Sequence, residues 1–281
     1  MAVLYKYSGA GNDFVVLDGR SEDVGHYREA GVIRSLCSRE DGFHAADGRI
    51  GADGLMILSA ADGYDFSMEF YNPDGSSGMM CGNGGRCIVA FSSFLGLVPA
   101  DGKVFRFVAA DGEHTGEIVS SEGDVVTVRL GMIDCSEYHP VLDGWFLNTG
   151  TRHFVKFVDD VESLDIESEG RRYRWDEKFA PLGVNANFVQ KLADGSLKVR
   201  TFEKGVEAET LACGTGLTAC AIASWLDSHE GSRETTASSC GSVRVALHAR
   251  IADLKVDFKA PERADAAFKE VFLTGPAELV R

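Results

Sequence analysis

Two short runs, Cys81-Gly82-Asn83-Gly84 and Cys213-Gly214-Thr215-Gly216, set a cysteine and spaced glycines at the opening of an apolar helical pattern. A helix N-terminus carries unpaired N–H groups and a partial positive charge. A thiol placed there loses its proton more easily than at its free pKa of about 8.5. The glycines leave the backbone N–H groups open to an anion such as a carboxylate. Each run therefore combines a carboxylate cradle with a sulfur base, and two such sites could grip one amino acid between two sulfurs. Inverting a tetrahedral carbon needs a proton removed from one face and another delivered to the opposite face. A thiolate and a thiol on opposing domains can do this and exchange roles for the reverse direction. Helix N-termini directed at the carboxylate would stabilise the carbanion character that builds at the α-carbon.

The elements around the two cysteines repeat. Met68-Glu69-Phe70-Tyr71-Asn72 precedes Cys81, and Val199-Arg200-Thr201-Phe202-Glu203 precedes Cys213. Asn72 stands nine residues before its cysteine and Glu203 ten before its own. A strand, a polar turn and a Cys-Gly-x-Gly helix start thus occur once in each half of the chain. Asn12-Asp13-Phe14-Val15 and Asn187-Phe188-Val189 read as a further, weaker echo. After Cys213, Leu217, Cys220, Ala221, Ser224 and Trp225 fall on one helical face; after Cys81, Ile88, Phe91 and Leu95 do the same, widened by Val89 and Phe94. Helices this apolar are expected to be buried, each wrapped by strands of its own half, with Cys87 and Cys220 packed inside. Strand candidates with alternating or apolar runs are 1–7, 14–17, 55–58, 65–71, 125–128, 154–158, 197–202 and 271–273. The stretch 41–49 reads as an irregular loop.

The 281 residues suggest about two domains. The formal net charge of −15 argues against nucleic acid, whose binding rests on Lys and Arg neutralising phosphates. Hydrophobic residues at 44% supply a packed core, and no apolar run approaches the roughly 20 residues that cross a bilayer. The start lacks the apolar region of a signal peptide, so the expectation is a cytoplasmic protein with no membrane partner. Seven cysteines, an odd number, make a poor disulfide framework. Five residues separate Cys81 from Cys87 and six separate Cys213 from Cys220, outside the spacing of structural zinc, and no metal is expected. Cys37, Cys135 and Cys240 read as buried thiols. Gly214-x-Gly216-x-x-Ala219 matches a dinucleotide fingerprint only formally, because a polar stretch rather than a strand leads into it. No P-loop ending is present, and no lysine is singled out for pyridoxal phosphate.

Taken together, Gly9-Ala10-Gly11-Asn12-Asp13-Phe14, Tyr71-Asn72-Pro73-Asp74-Gly75, Cys81-Gly82-Asn83-Gly84-Gly85-Arg86-Cys87, Val184-Asn185, Ala212-Cys213-Gly214-Thr215-Gly216 and Phe272-Leu273-Thr274-Gly275-Pro276-Ala277 resemble the diaminopimelate epimerase family, in family order across essentially the whole chain. The resemblance implies an α/β (α+β) fold of two pseudo-symmetric domains, each a curved mixed or antiparallel sheet around a central helix, with the active site in the cleft between them. The expected boundaries are 1–135 plus 268–281 for one domain and 136–267 for the other. It also implies interconversion of LL- and meso-diaminopimelate with no cofactor, supplying lysine and cell-wall synthesis, and a homodimer at family level. Cys81 and Cys213 match the catalytic cysteines, with His153 and Glu203 assisting near the reacting centre. Asn12, Asn72, Gly82, Asn83, Asn185, Glu203, Gly214 and Thr215 match substrate-contact positions; Asn12 and Asn72 alone would read as turn residues.

Three departures stand out. Thr151-Arg152-His153 replaces the family's usual Asn-Pro-His, Lys204 replaces an arginine after the glutamate, and Gly54 replaces a frequent glutamine. The first two fall where the family recognises the substrate's distal amino-carboxylate end, and Lys lacks the planar fork of Arg. Arg152 is either a replacement cation or a solvated surface charge. The runner-up function is therefore the same two-thiol chemistry on another amino acid, as in proline racemase-like enzymes. A third reading is a thiol redox sensor that binds an amino acid without turnover.

Overall fold

The computed structural model describes residues 2–21, 23–78, 80–229, 241–263 and 266–281; Cys240 lies outside them. The chain divides into two units, Met1–Leu130 with Gly275–Arg281, and Gly131–Thr274.

The first unit holds strands β1 (Leu4–Gly9), β2 (Asn12–Asp18), β3 (Leu55–Ser59), β4 (Phe66–Tyr71), β5 (Val104–Ala109), β6 (Gly112–Glu122) and β7 (Val125–Gly131), with helices α1 (Ala30–Cys37) and α2 (Gly82–Phe94). The second holds β8 (Glu137–Val141), β9 (Gly144–Asn148), β10 (Arg152–Phe157), β11 (Asn185–Lys191), β12 (Leu197–Glu203), β13 (Ala208–Thr210), β14 (Ser242–His248) and β15 (Asp253–Lys259), with α3 (Ile166–Arg174) and α4 (Gly214–Ser228). The last strand, β16 (Lys269–Val280), serves both: Thr274 pairs with Lys255 of β15, and Val280 pairs with Lys6 of β1.

Strand pairing repeats step for step. From β1 to β7 neighbours run antiparallel, parallel, antiparallel, parallel, antiparallel and antiparallel. The same series runs through β9, β10, β11, β12, β14, β15 and β16. This is a mixed α+β architecture built twice. Order and direction align β2 with β10 and β3 with β11. The counterpart of Asp13-Phe14-Val15 is therefore His153-Phe154-Val155; the echo expected at Asn187-Phe188-Val189 lies one strand away, because a match of three or four residues carries no topology.

Each unit packs its strands on its own apolar helix. Helix α2 lies against β1, β2, β3 and β6, with Ile88, Val89 and Phe91 fully buried and Phe91 in ring contact with Tyr5 and Tyr7. Helix α4 lies against β9 to β12, β14 and β15 and buries Leu217, Cys220 and Ile222. At about 1.5–3 kcal/mol per large buried aliphatic or aromatic side chain, these stripes anchor the helix starts that carry the chemistry. Gly96, at φ +78°, supplies the left-handed residue that ends α2. Among the described residues no helix is long and apolar enough to cross a membrane. Segment 41–49 is irregular, closed by a bridge between His44 and Ile50.

Candidate active site

Cys81 is the N-cap of α2, and its Sγ accepts a hydrogen bond from the Gly84 N–H at 3.3 Å. The thiol is exposed, whereas Gly82, Asn83 and Gly84 behind it are buried. Asn83 Nδ2 donates to Asn12 Oδ1 at 2.7 Å, so the turn between β1 and β2 is tied to the first turn of the helix. Beneath them the layer is charged. Buried Lys6 meets Asp13 at 2.7 Å, and Arg39 donates to both Asp13 and Asp53. Burial alone would push the Asp13 carboxyl up, but hydrogen bonds from Arg39 and Lys6 outweigh it and hold the group below the usual carboxylate range. Arg86, fully buried one turn into α2, donates to Gly82 O, Asn83 Oδ1 and Pro276 O.

Cys213 is the N-cap of α4 and half-buried, with its Sγ 3.5 Å from the Thr215 hydroxyl. Below lies His153, wholly buried, its Nε2 2.8 Å from Thr151 Oγ1 and 3.0 Å from Thr215 Oγ1. Asn187 Nδ2 faces two carbonyls that can only accept, Phe154 O and Asn185 O, so the amide nitrogen's orientation is fixed. It also lies 3.1 Å from His153 Nδ1, which must then accept. Burial drives the His153 pKa down to about 3, so the ring is neutral and carries its proton on Nε2. That proton is given to a threonine hydroxyl, which leaves the Thr215 O–H free to donate to Cys213 Sγ. An ideal Cβ on Gly216 would sit 2.6 Å from Asn187 Oδ1 and 3.3 Å from His153 Cε1, so the second glycine of the motif is what lets this polar stack reach the helix start.

Within the first unit the structure brings Cys81, Gly82, Asn83 and Asn12 together. Asn72 caps its own turn, its Nδ2 donating to Ser76 Oγ at 3.0 Å. Within the second unit Cys213, Gly214, Thr215 and His153 form one cluster. Asn185 is buried and staples three elements: its Nδ2 donates to Arg152 O at 3.0 Å and its Oδ1 accepts from the Lys204 N–H at 2.8 Å, where β12 ends beside Glu203. Burial pushes the Glu203 carboxyl above its ordinary range. Arg152 is half-buried. It lies over the Phe146 ring at 5.2 Å and donates to Phe179 O at 3.4 Å. Asp53 was not singled out from the sequence, and Asn187 was read only as part of the weak echo, although it shares a strand face with Asn185.

Other thiols fit a packing role. Burial pushes Cys37 and Cys135 up to about 11 and raises Cys87 and Cys220 as well. A second His–Asp–Ser array in the second unit, with His248 2.7 Å from Asp253 and 3.1 Å from Ser196 Oγ, lacks the nucleophile's requirement, because the Ser196 hydroxyl donates to Asp194 at 2.6 Å. Among the described residues no group of three or more His, Cys, Asp or Glu could hold a metal ion.

The family model described as diaminopimelate epimerase matches residues 4–134 and 145–263. A diaminopimelate epimerase of Flavobacterium psychrophilum is 37% identical over 99% of this chain and 97% of its own length. One from Chlorobaculum tepidum is 36% identical over 97% of both chains. One from Aquifex aeolicus is 42% identical over 79% of this chain and 81% of its own. Among solved structures, a PhzF-family phenazine biosynthesis protein of Bacillus anthracis aligns with a TM-score of 0.69 over 99% of this chain and 96% of its own, at 10% identity. A probable proline racemase from Agrobacterium radiobacter aligns at 0.62 over 100% and 92%, at 15% identity. These two likenesses concern the fold alone.

Proposed function

The chain belongs to the diaminopimelate epimerase family, an epimerase family of the diaminopimelate and lysine pathway, and from that premise we propose that it interconverts LL- and meso-diaminopimelate by a cofactor-independent proton transfer between Cys81 and Cys213. The observation that carries the reading is the repeated one: in topologically equivalent places, a cysteine caps the N-terminus of a buried helix and glycine follows it. One sulfur, as thiolate, takes the proton from the α-carbon and becomes a thiol. The other, as thiol, gives its proton to the opposite face of the carbanion and becomes the thiolate, so the enzyme ends poised for the reverse direction. The N–H groups at the two helix starts hold the α-carboxylate and stabilise the charge that spreads onto it. On the Cys213 side the Thr215 hydroxyl donates to the sulfur. His153, its pKa near 3, acts as a neutral donor that orients that hydroxyl rather than as a base at Nε2. Glu203, its carboxyl raised by burial, and Asn12, Asn72, Asn83 and Asn185 complete the set that binds and orients the substrate.

Incubation with LL-diaminopimelate in deuterium oxide, without any added cofactor, is expected to give deuterium at the α-carbon and the meso isomer. Cys81→Ala and Cys213→Ala should each lower epimerisation at least about 10³-fold. Full activity in either variant, or an absolute need for pyridoxal phosphate, refutes the mechanism. One observation favours a second reading, the same chemistry on another amino acid: Lys204 stands where the family carries an arginine and lacks the planar fork that grips a distal carboxylate. A panel of amino acids assayed for α-proton exchange separates the two.

A further inference from the structure

Asn12 and Asn83 sit in the middle of a hydrogen-bonded chain whose ends are charged and chemically one-way. At one end Asp53 Oδ2 accepts from Asn12 Nδ2 at 2.9 Å and from the Asp13 N–H at 3.1 Å, while Oδ1 accepts from Arg39 Nη2 at 2.5 Å. Each of these neighbours is a donor. Asn12 Oδ1 then accepts from Asn83 Nδ2 at 2.7 Å, and Asn83 Oδ1 accepts from Arg86 Nη2 at 2.8 Å. A carboxylate can only accept and a guanidinium can only donate. The direction of every link is therefore dictated from both ends, and neither amide can turn over alone. The same chain links the fully buried Arg86 cation, which gives its N–H groups to neutral oxygens, to a carboxylate through two side-chain amides.

We propose that Asp53 and Arg86 are positioning residues of the first unit: one from each end, they lock the amide orientation of Asn12 and Asn83, and so fix which amide atoms meet the amino acid held at the start of α2. The inference rests on the reading above only in taking Asn12 and Asn83 as substrate contacts. Asn12 keeps one N–H beyond the one given to Asp53, and its placement follows from the lock. Hydrogen bonds preset in this way spare the substrate the cost of ordering them.

Asp53→Asn is isosteric and tests the lock. An amide at position 53 must turn its NH2 either on Asn12 and the Asp13 N–H or on Arg39, donor against donor both ways. Flipping Asn12 and then Asn83 only passes the mismatch to Arg86, which cannot accept. Arg39→Met, at a half-exposed position, removes the donor on one side and lets the substituted amide turn its oxygen back to Asn12. The expected results are a KM for diaminopimelate raised at least ~10-fold in Asp53→Asn with kcat changed less than ~3-fold, Arg39→Met within ~3-fold of the unaltered protein, and the double variant closer to it than Asp53→Asn. A merely structural role would make the double variant the worst of the three, which overturns the proposal.

A substrate-free arm uses protein labelled with ¹⁵N-asparagine, its side-chain resonances assigned by their loss in Asn12→Ala and Asn83→Ala. In the unaltered protein the Asn12 proton held by Asp53 and the Asn83 proton held by Asn12 should exchange slowly with water. Both resonances should move in Asp53→Asn and return in the double variant. Fast exchange in the unaltered protein, or an Asn83 resonance blind to the substitution of Asp53, overturns the lock even if the protein proves to act on another amino acid.

Discussion

Beneath Cys81 the polar layer is made of fixed charges: Lys6, Asp13, Arg39, Asp53 and Arg86 surround two asparagines. Beneath Cys213 it is neutral, an amide, an imidazole and two hydroxyls from Asn187, His153, Thr151 and Thr215. The two starts share strand order, a cysteine N-cap and the following glycines, and Asp13 and His153 hold equivalent places on β2 and β10. Duplication has kept the backbone device and exchanged what supports it. Charged ends make the first support rigid in its polarity. In the second, hydroxyl protons can rotate, and the polarity of the whole stack hangs on one imidazole tautomer.

That contrast breaks most visibly with pH. His153 is buried neutral, with its folded pKa near 3 against about 6.5 when unfolded, so the unfolded chain binds the extra proton first. Its contribution to stability is complete above pH ~6.5 and is lost as the pH falls toward 3, by up to ~5 kcal/mol in total and ~3 kcal/mol by pH 4.5. Urea unfolding at pH 7 and 4.5 should show this loss in the unaltered protein and a much smaller one in His153→Gln; equal losses would mean that His153 is not held neutral by burial.

The matched glycines sharpen the comparison at a smaller scale. Gly216→Ala drives a methyl into Asn187 and His153 and should cost about 1–3 kcal/mol in thermal or urea unfolding. At the equivalent Gly84 the nearest atoms are Met56 Sδ at 3.3 Å and Cys81 Sγ at 3.4 Å, and the methionine can move. Gly84→Ala should therefore be neutral, or stabilising by up to about 1 kcal/mol through helix propensity. Equal costs at both positions would mean that the neutral stack is not packed against the helix start as described.

The smallest effect is on sulfur reactivity. Thr215→Val removes the hydroxyl facing Cys213 and should slow iodoacetamide alkylation of Cys213 at pH 7 about 3- to 10-fold, the worth of one hydrogen bond. Cys81, read on its own peptide by mass spectrometry, serves as the internal reference and should not change.

Much of this was legible in the sequence because it lies in local pattern. The Cys-Gly-x-Gly starts, the apolar stripes after them and the alternating strands before them all depend on near neighbours, and α2, α4, β4 and β12 lie where those patterns put them. β13, only three residues long, and α3, a polar helix with few apolar residues, gave no comparable signal. The supporting layers were hidden for a different reason. Asp53 and Asn12, or Asn187 and His153, are joined by hydrogen bonds across long stretches of chain, and nothing in the spacing of two polar residues announces that they will meet. Arg152 shows the same limit: nothing in its spacing announced that its guanidinium would lie over Phe146 and reach the Phe179 carbonyl.

β16 carries a consequence for how the protein is made. Lys6, on the first strand of the first unit, finds its strand partner in Val280, which is synthesised only after the whole second unit. The half synthesised first is thus the one that must wait longest for its closing strand, while the half synthesised second lacks only the nearby 269–274. Contacts that span so much chain are slow to form, and until β16 arrives β1 offers an unpaired edge to any chaperone or stray strand within reach.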